Sequence, residues 1–193
     1  MDSGGNFAAT LAMRPVGDAA TLALRTFVAA LALRDALGAL TGRGNLISLK
    51  WPNDVLMSGS KVAGILLETG EHGLLCIGIG VNLTGTPDTS ALEPRAMTPV
   101  SVLDATGIRL TPDELLDALA EAFARWEAQL QTYGFAPLRN SFLDSAARLG
   151  EPVTARLPHE EVTGTFSDID ETGAIVLQTP KGARAIPAAD IYF

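Results

Sequence analysis

Residues 50–68 read Lys50-Trp51-Pro52-Asn53-Asp54-Val55-Leu56-Met57-Ser58-Gly59-Ser60-Lys61-Val62-Ala63-Gly64-Ile65-Leu66-Leu67-Glu68. A lysine at each end brackets a segment crowded with turn formers, and the apolar run Val62 to Leu67 follows the second lysine. The pattern predicts a strand ending at Lys50, a turn, and a second strand starting at Lys61. Such a hairpin brings both ammonium groups to one mouth, beside Asp54. Converging cations next to a carboxylate suit a site that holds a nucleotide phosphate with its metal.

Around this block the chain alternates between helical and strand periods. Phe7, Leu11 and Met13 predict a strand over 6–14, stopped by Pro15. An Ala/Leu-rich segment from Asp18 to about Leu40 predicts one long helix, with Gly42 as its stop. Val62–Leu67 and Leu74–Leu83 are apolar at nearly every position, as strands in the middle of a sheet covered on both faces would be. Residues 84–99 read as loop, and a short helix is expected over 100–105. Thr111-Pro112-Asp113-Glu114 is a helix start with a capping box. The stripe Leu116, Leu119, Phe123, Trp126, Leu130 then carries that helix to Tyr133-Gly134. A last helix is expected over 137–148. From Glu151 the period drops to two, with strands over 153–157, 161–166, 174–178 and 183–186.

Composition excludes several function classes. In 193 residues, 47% are hydrophobic and 19% charged, which is a globular balance. The net charge of −8 and the lack of any basic run disfavour nucleic-acid binding. No apolar run reaches the roughly 18 residues that span a bilayer. The acidic N-terminus, Met1-Asp2-Ser3-Gly4-Gly5, is not a secretory signal, so a cytoplasmic location is expected. The single cysteine, Cys76, sits in an apolar run and reads as a buried structural thiol. His72 and His159 have no metal-ligand spacing.

Lys50-Trp51-Pro52-Asn53-Asp54, then Lys61-x-Ala63-Gly64-Ile65-Leu66-x-Glu68, then Ile77-Gly78-Ile79-Gly80-Val81-Asn82-Leu83, together resemble the central motif of biotin protein ligases. Agreement in order across residues 50–83 makes the match specific, and the resemblance runs from about Gly5 to Phe193. It implies an α/β (α+β) catalytic domain over residues 1–149, with a mixed, largely antiparallel sheet and helices of the biotin/lipoate ligase type. It also implies a small SH3-like β-barrel over 150–193, where the Gly164, Asp170, Gly173 pattern and the ending Ala189-Asp190-Ile191-Tyr192-Phe193 resemble the family's C-terminal module.

The activity implied is ATP-dependent ligation of biotin to a lysine of a biotin carboxyl carrier protein, through biotinyl-5′-adenylate, with ATP and biotin as substrates and Mg²⁺ present. Lys61 matches the lysine that contacts the reacting carboxylate and α-phosphate, and Lys50 a triphosphate contact. Asn53 and Asp54 lie in the same motif. Asp54 would hold Mg²⁺ or orient the lysines, and Asn82 would contact phosphate or metal. Gly64, Gly78 and Gly80 would leave backbone room for the biotin rings and tail. Trp51 is expected to pack beneath the hairpin, and Trp126 to belong to the core.

Most of the family carries an arginine- and glycine-rich loop just before the strand that Ser3-Gly4-Gly5-Asn6-Phe7 resembles. That loop and the biotin-recognising strand upstream of it are expected to be missing from this sequence. A shortened sheet would leave an unpaired edge open to another chain, a homodimer included. Two other readings therefore stand beside the ligase: a non-catalytic binding scaffold, and ligation of a related acid such as lipoate.

Overall fold

The protein is described from a computed structural model, which covers residues 5–88, 95 and 97–193. Ser3 and Gly4 of the family resemblance, and part of the expected 84–99 loop, lie outside the described residues. Five strands build the first sheet: β1 (Phe7–Met13), β2 (Ile47–Lys50), β3 (Asp54–Met57), β4 (Ser60–Thr69) and β5 (Leu75–Val81). Their order is β1-β5-β4-β3-β2, every neighbouring pair antiparallel.

The expected single hairpin between Lys50 and Lys61 is instead a three-strand meander. The intervening strand, β3, hides between two turn clusters. Its Val55, Leu56 and Met57 are all buried, and Ser58 and Gly59 both take positive φ in the two-residue turn that follows. That is the backbone a tight, right-twisted hairpin turn requires.

The expected long helix is two. Asp18 caps α1 (Ala19–Ala23), and after Leu24 the chain enters α2 (Arg25–Thr41), which ends at Gly42 in the left-handed conformation. Val28, Ala29, Leu31, Ala32, Leu33 and Leu37 are fully buried. A helix apolar on every side is a core helix. It packs between the sheet on one side and the helices α4 (Pro112–Tyr133) and α5 (Ala136–Leu143) on the other. A shorter helix, α3 (Val102–Thr106), follows the loop after β5.

Among the described residues, helices cover the sheet on one face only. Ala63, Ile65, Leu75, Ile77, Ile79 and Val81 face the helices. On the other face Leu66 is 58% exposed, and Ala8, Thr10, Ala12 and Gly80 are open. Cys76 is partly exposed, against the expectation of a buried thiol, because the two-residue period puts it on that open face.

The capping box of α4 forms, with Glu114 and Thr111 bonded reciprocally. Its buried face keeps Leu119, Phe123 and Leu130 of the expected stripe and takes Leu115 in place of Leu116. Leu116 is exposed, while Leu115, Leu119, Ala122, Phe123, Glu127 and Leu130 are buried. Glu127 is tolerated there because Arg25 of α2 pairs with it at 2.7 Å. Trp126 is partly buried, and its indole N–H donates to Asp35 at 2.8 Å. The expected last helix stops at Leu143. Residues 145–147 instead run beside β2, with Leu49 N–H donating to Ser145 O and Ala147 N–H to Leu49 O, each 2.8 Å.

Five further strands form the C-terminal module: β6 (Pro152–Arg156), β7 (Glu161–Ile169), β8 (Ile175–Thr179), β9 (Gly182–Ile186) and β10 (Asp190–Tyr192). The order is β10-β6-β7-β8-β9, all antiparallel, in a small SH3-like barrel. Strand β10 was not read from the sequence. Arg139 of α5 ties the module to the helices by pairing with Asp168 and bonding Ile169 O. Among the described residues no helix is long and apolar enough to cross a membrane.

Two stability effects follow. A Cβ at Gly164 would lie 2.7 Å from Gln178 O, so Gly164→Ala should destabilise the protein by about 1–3 kcal/mol in urea unfolding. The backbone and side-chain bonds from Thr111 hold the Glu114 carboxyl below its ordinary value of 4.5. Its contribution is therefore complete above pH 4.5 and is lost as pH falls through the lower folded value. The stability gap between wild type and Glu114→Gln should shrink over that acid range.

Candidate active site

The site begins with a register shift. Asp54 of β3 pairs with Gly64 and Val55 with Ala63, but Leu56 pairs with Lys61, so Val62 is an extra residue in β4. Strict alternation would send Lys61 to the helix-covered face. The bulge buries Val62 and Ala63 in succession and turns Lys61 onto the open face with Gly64. There its ammonium lies 2.5 Å from Asp54 Oδ1.

Lys50 arrives from the other side. It is the cross-strand partner of Asp54, and its Nζ is 3.5 Å from Asp54 Oδ2. Each carboxylate oxygen thus faces one ammonium, and two lysines against one aspartate leave one net positive charge. Asp54 and Lys50 are largely buried, while Lys61 is 39% exposed and is the lysine of the pair more open to the cleft. Its backbone is held by the 98–100 segment, with Lys61 N–H donating to Thr98 O at 3.0 Å and Val100 N–H to Lys61 O at 2.9 Å.

The two asparagines act as clasps. Asn53 Nδ2 donates to Ile65 O at 2.7 Å, and Ile65 N–H returns a bond to Asn53 O at 3.0 Å, which locks the turn onto β4. Asn82 Nδ2 donates to Val100 O at 3.3 Å, and Val102 N–H donates to Asn82 O, pinning the segment beside Lys61.

Gly64 and Gly80 are cross-strand partners on the open face. A Cβ at Gly64 would touch the Lys61 ammonium at 3.5 Å, whereas one at Gly80 would meet nothing within 4 Å. The protein's own packing therefore does not require glycine at 80, and the strip is a bare floor. Both line a cavity of about 880 Å³ with Lys50, Asp54 and Lys61. Gly78 lies one pleat further on, outside that lining, with its Cβ position near Leu66 and Thr10.

The opposite wall comes from the C-terminal module, which sequence reasoning did not bring to the site. Arg156, Asp190 and Tyr192 line the cavity there. Arg156 pairs with Asp190 at 3.1 Å, and its guanidinium stands 5.1 Å from the Tyr192 ring centre. Asn6 was also missed. It lines the cavity and ties β1 to the turn after β5 through Thr84 N–H, Gly85 N–H and Gly85 O. The described residues hold no cluster of three or more acidic, His or Cys side chains suited to a metal. Asp54, with both oxygens facing lysines, fits the task of orienting them and does not fit that of a metal ligand.

Sequence profiles of two families match the chain: the biotin/lipoate A/B protein ligase family over residues 2–83, and the biotin protein ligase C-terminal domain over 149–193. A biotin–[acetyl-CoA-carboxylase] ligase of Paracoccus denitrificans is 55% identical over 193 residues, covering 98% of this chain and 80% of the relative. The chain belongs to the biotin protein ligase family. The bifunctional ligase/repressor BirA of Bacillus subtilis is 29% identical over 147 residues, 74% of this chain and 45% of its own length. The chain thus spans four-fifths of the Paracoccus ligase but about half of such Bacillus and Mycobacterium relatives. The biotin protein ligase of Aquifex aeolicus, solved with biotin and ATP, shares the fold at a TM-score of 0.82, with 23% identity, over 97% of this chain and 77% of that one.

In this ligase fold, Asp54 is the anion that lets two ammonium groups stand together. Asp54→Ala leaves Lys50 buried and unpaired, and should lower stability by about 1–3 kcal/mol in urea unfolding. Lys50→Met in the same background should recover part of that loss.

Proposed function

We propose that the chain joins biotin to a lysine of a carrier protein in two steps, using ATP and passing through biotinyl-5′-adenylate. The observation that carries this reading is Lys61, turned by the Val62 bulge onto a side-chain-free floor and held there by Asp54. Kinship with the Paracoccus ligase over nearly the whole chain supports it. That relative's name makes the biotin carrier of acetyl-CoA carboxylase the favoured acceptor.

In the first step a biotin carboxylate oxygen attacks the α-phosphorus of ATP. The bond from that phosphorus to the bridging oxygen breaks, and pyrophosphate leaves with the electron pair. Two anions must approach each other, so fixed positive charge at the meeting point lowers the barrier most. Lys61 supplies it, and Lys50 serves the triphosphate end. In the second step the carrier amine, as the free base, attacks the acyl carbon. The acyl carbon–oxygen bond breaks, AMP leaves, and the amide nitrogen gives up its extra proton.

Asn53, Asp54 and Asn82 act by holding the two lysines and the neighbouring segment in place. Gly64 and Gly80 floor the slot for biotin, with Gly78 extending the strip. Mg²⁺ would be carried by the triphosphate and would neutralise part of its charge, because both Asp54 oxygens already face lysines. Residues 1–149 act as the catalytic domain, and residues 150–193 close the site opposite it.

Lys61→Ala should reduce biotin transfer to a purified carrier domain by about 10²–10³-fold while leaving the fold intact. Gly80→Val should leave thermal stability nearly unchanged, since its side chain meets open space, yet weaken biotin binding by about tenfold or more in calorimetry. Transfer that survives Lys61→Ala at the wild-type rate would sink the reading.

A further inference from the structure

The cavity has two walls from two modules, and Trp51 joins them beside the lysine pair, as Arg139 does at the helices. Trp51 is 3% exposed, and its indole N–H donates to the carbonyl of Gly173 at 2.9 Å, across 122 residues of sequence. Trp51 stands between Lys50 and the turn that leads to Asp54. Any shift of its backbone therefore moves both members of the Lys50–Asp54 pair.

The other end of the bond is as firmly held. Asp170 Oδ1 accepts from Thr172 N–H at 2.8 Å and from Ala174 N–H at 3.0 Å, and Gly173 N–H donates to Asp170 O at 3.0 Å. Gly173 itself has φ +87°, and a Cβ there would lie 2.9 Å from Phe27 of α2 and 3.3 Å from Leu24. The turn is thus rigid and pressed against the core helix, and its carbonyl points to Trp51. The same module carries Arg156 and Tyr192 on the far wall of the cavity.

We infer that Trp51 is a positioning residue: its N–H to Gly173 O sets the distance between the lysine pair and the C-terminal wall of the cavity. Trp51 is buried at the edge of the cavity lining with its N–H already committed to Gly173 O, so it acts through Lys50, Asp54 and the docked module. The kinetic part of this inference rests on the ligase reading above, whereas its structural part does not.

The test uses the full chain and Trp51→Phe, which keeps an aromatic ring and removes the N–H. Trp126→Phe, which removes the other indole bond, to Asp35, serves as a control for simple loss of stability. Without ligands, amide hydrogen exchange in Trp51→Phe should quicken by about fivefold both in β3 and in the 170–174 turn, as loss of one buried hydrogen bond would give. Trp126→Phe should not produce that paired change.

With ATP, Trp51→Phe should raise KM for ATP more than it lowers kcat. Arg156→Ala should then cost less in the Trp51→Phe background than in wild type, because the two walls are already out of register. Exchange that quickens equally throughout both variants, or additive effects of Trp51→Phe and Arg156→Ala, would overturn the inference. A wild-type chain without biotin transfer would defeat the ligase reading and leave the exchange experiment to decide this one.

Discussion

Two ammonium groups do not share one side of a sheet without an anion between them, and Asp54 is that anion. Its two oxygens face Lys50 and Lys61 separately, at 3.5 and 2.5 Å. The arrangement needs three strands in fixed register, because each charged residue stands on a different one. It also needs a fault in that register. Without the extra residue at Val62, Lys61 would point into the helices, where an unpaired charge costs far more than a solvated one. The bulge solves a burial problem and an aiming problem with the same residue.

The surrounding fold holds this cluster still. α2 is buried over most of its length and supports the sheet from behind, while residues 145–147 cover the outer edge of β2 that carries Lys50. Asn53 and Asn82 spend their amides on backbone carbonyls, which clamps the turn and the segment where Val102 enters the core. The C-terminal barrel buries Val153, Phe166, Ile169, Ile175 and Leu177, but a module of this size is marginal by itself. It depends on its neighbours, through Arg139 to Asp168 and Trp51 to Gly173, and in docking it becomes the second wall of the cavity.

Local chemistry was legible in the sequence wherever a residue acts on its own neighbours. The Thr111–Glu114 box, the stop at Gly42, the strand over 7–13 and the two-residue period after Glu151 all formed. Strand β3 was not legible, because four residues between two turn clusters look like more turn. The stripe on α4 was legible at Leu119, Phe123 and Leu130 but not at Glu127, which only a distant arginine makes buriable. Cys76 and Leu66 were expected to be covered. Apolar composition does not reveal whether a second layer exists to cover a sheet.

By itself the sequence determined which residue types stand at the turns and strand ends: two lysines, an aspartate between them, and a glycine strip beside them. It determined the family too, since that rests on their order along the chain. Only the tertiary structure decided that Val62 is the extra residue that aims Lys61, that Asp54 holds both lysines at once, and that Arg156 and Tyr192 stand opposite. Those depend on strand register and on contacts across more than a hundred residues, which arise when separate segments pack and which no local pattern encodes.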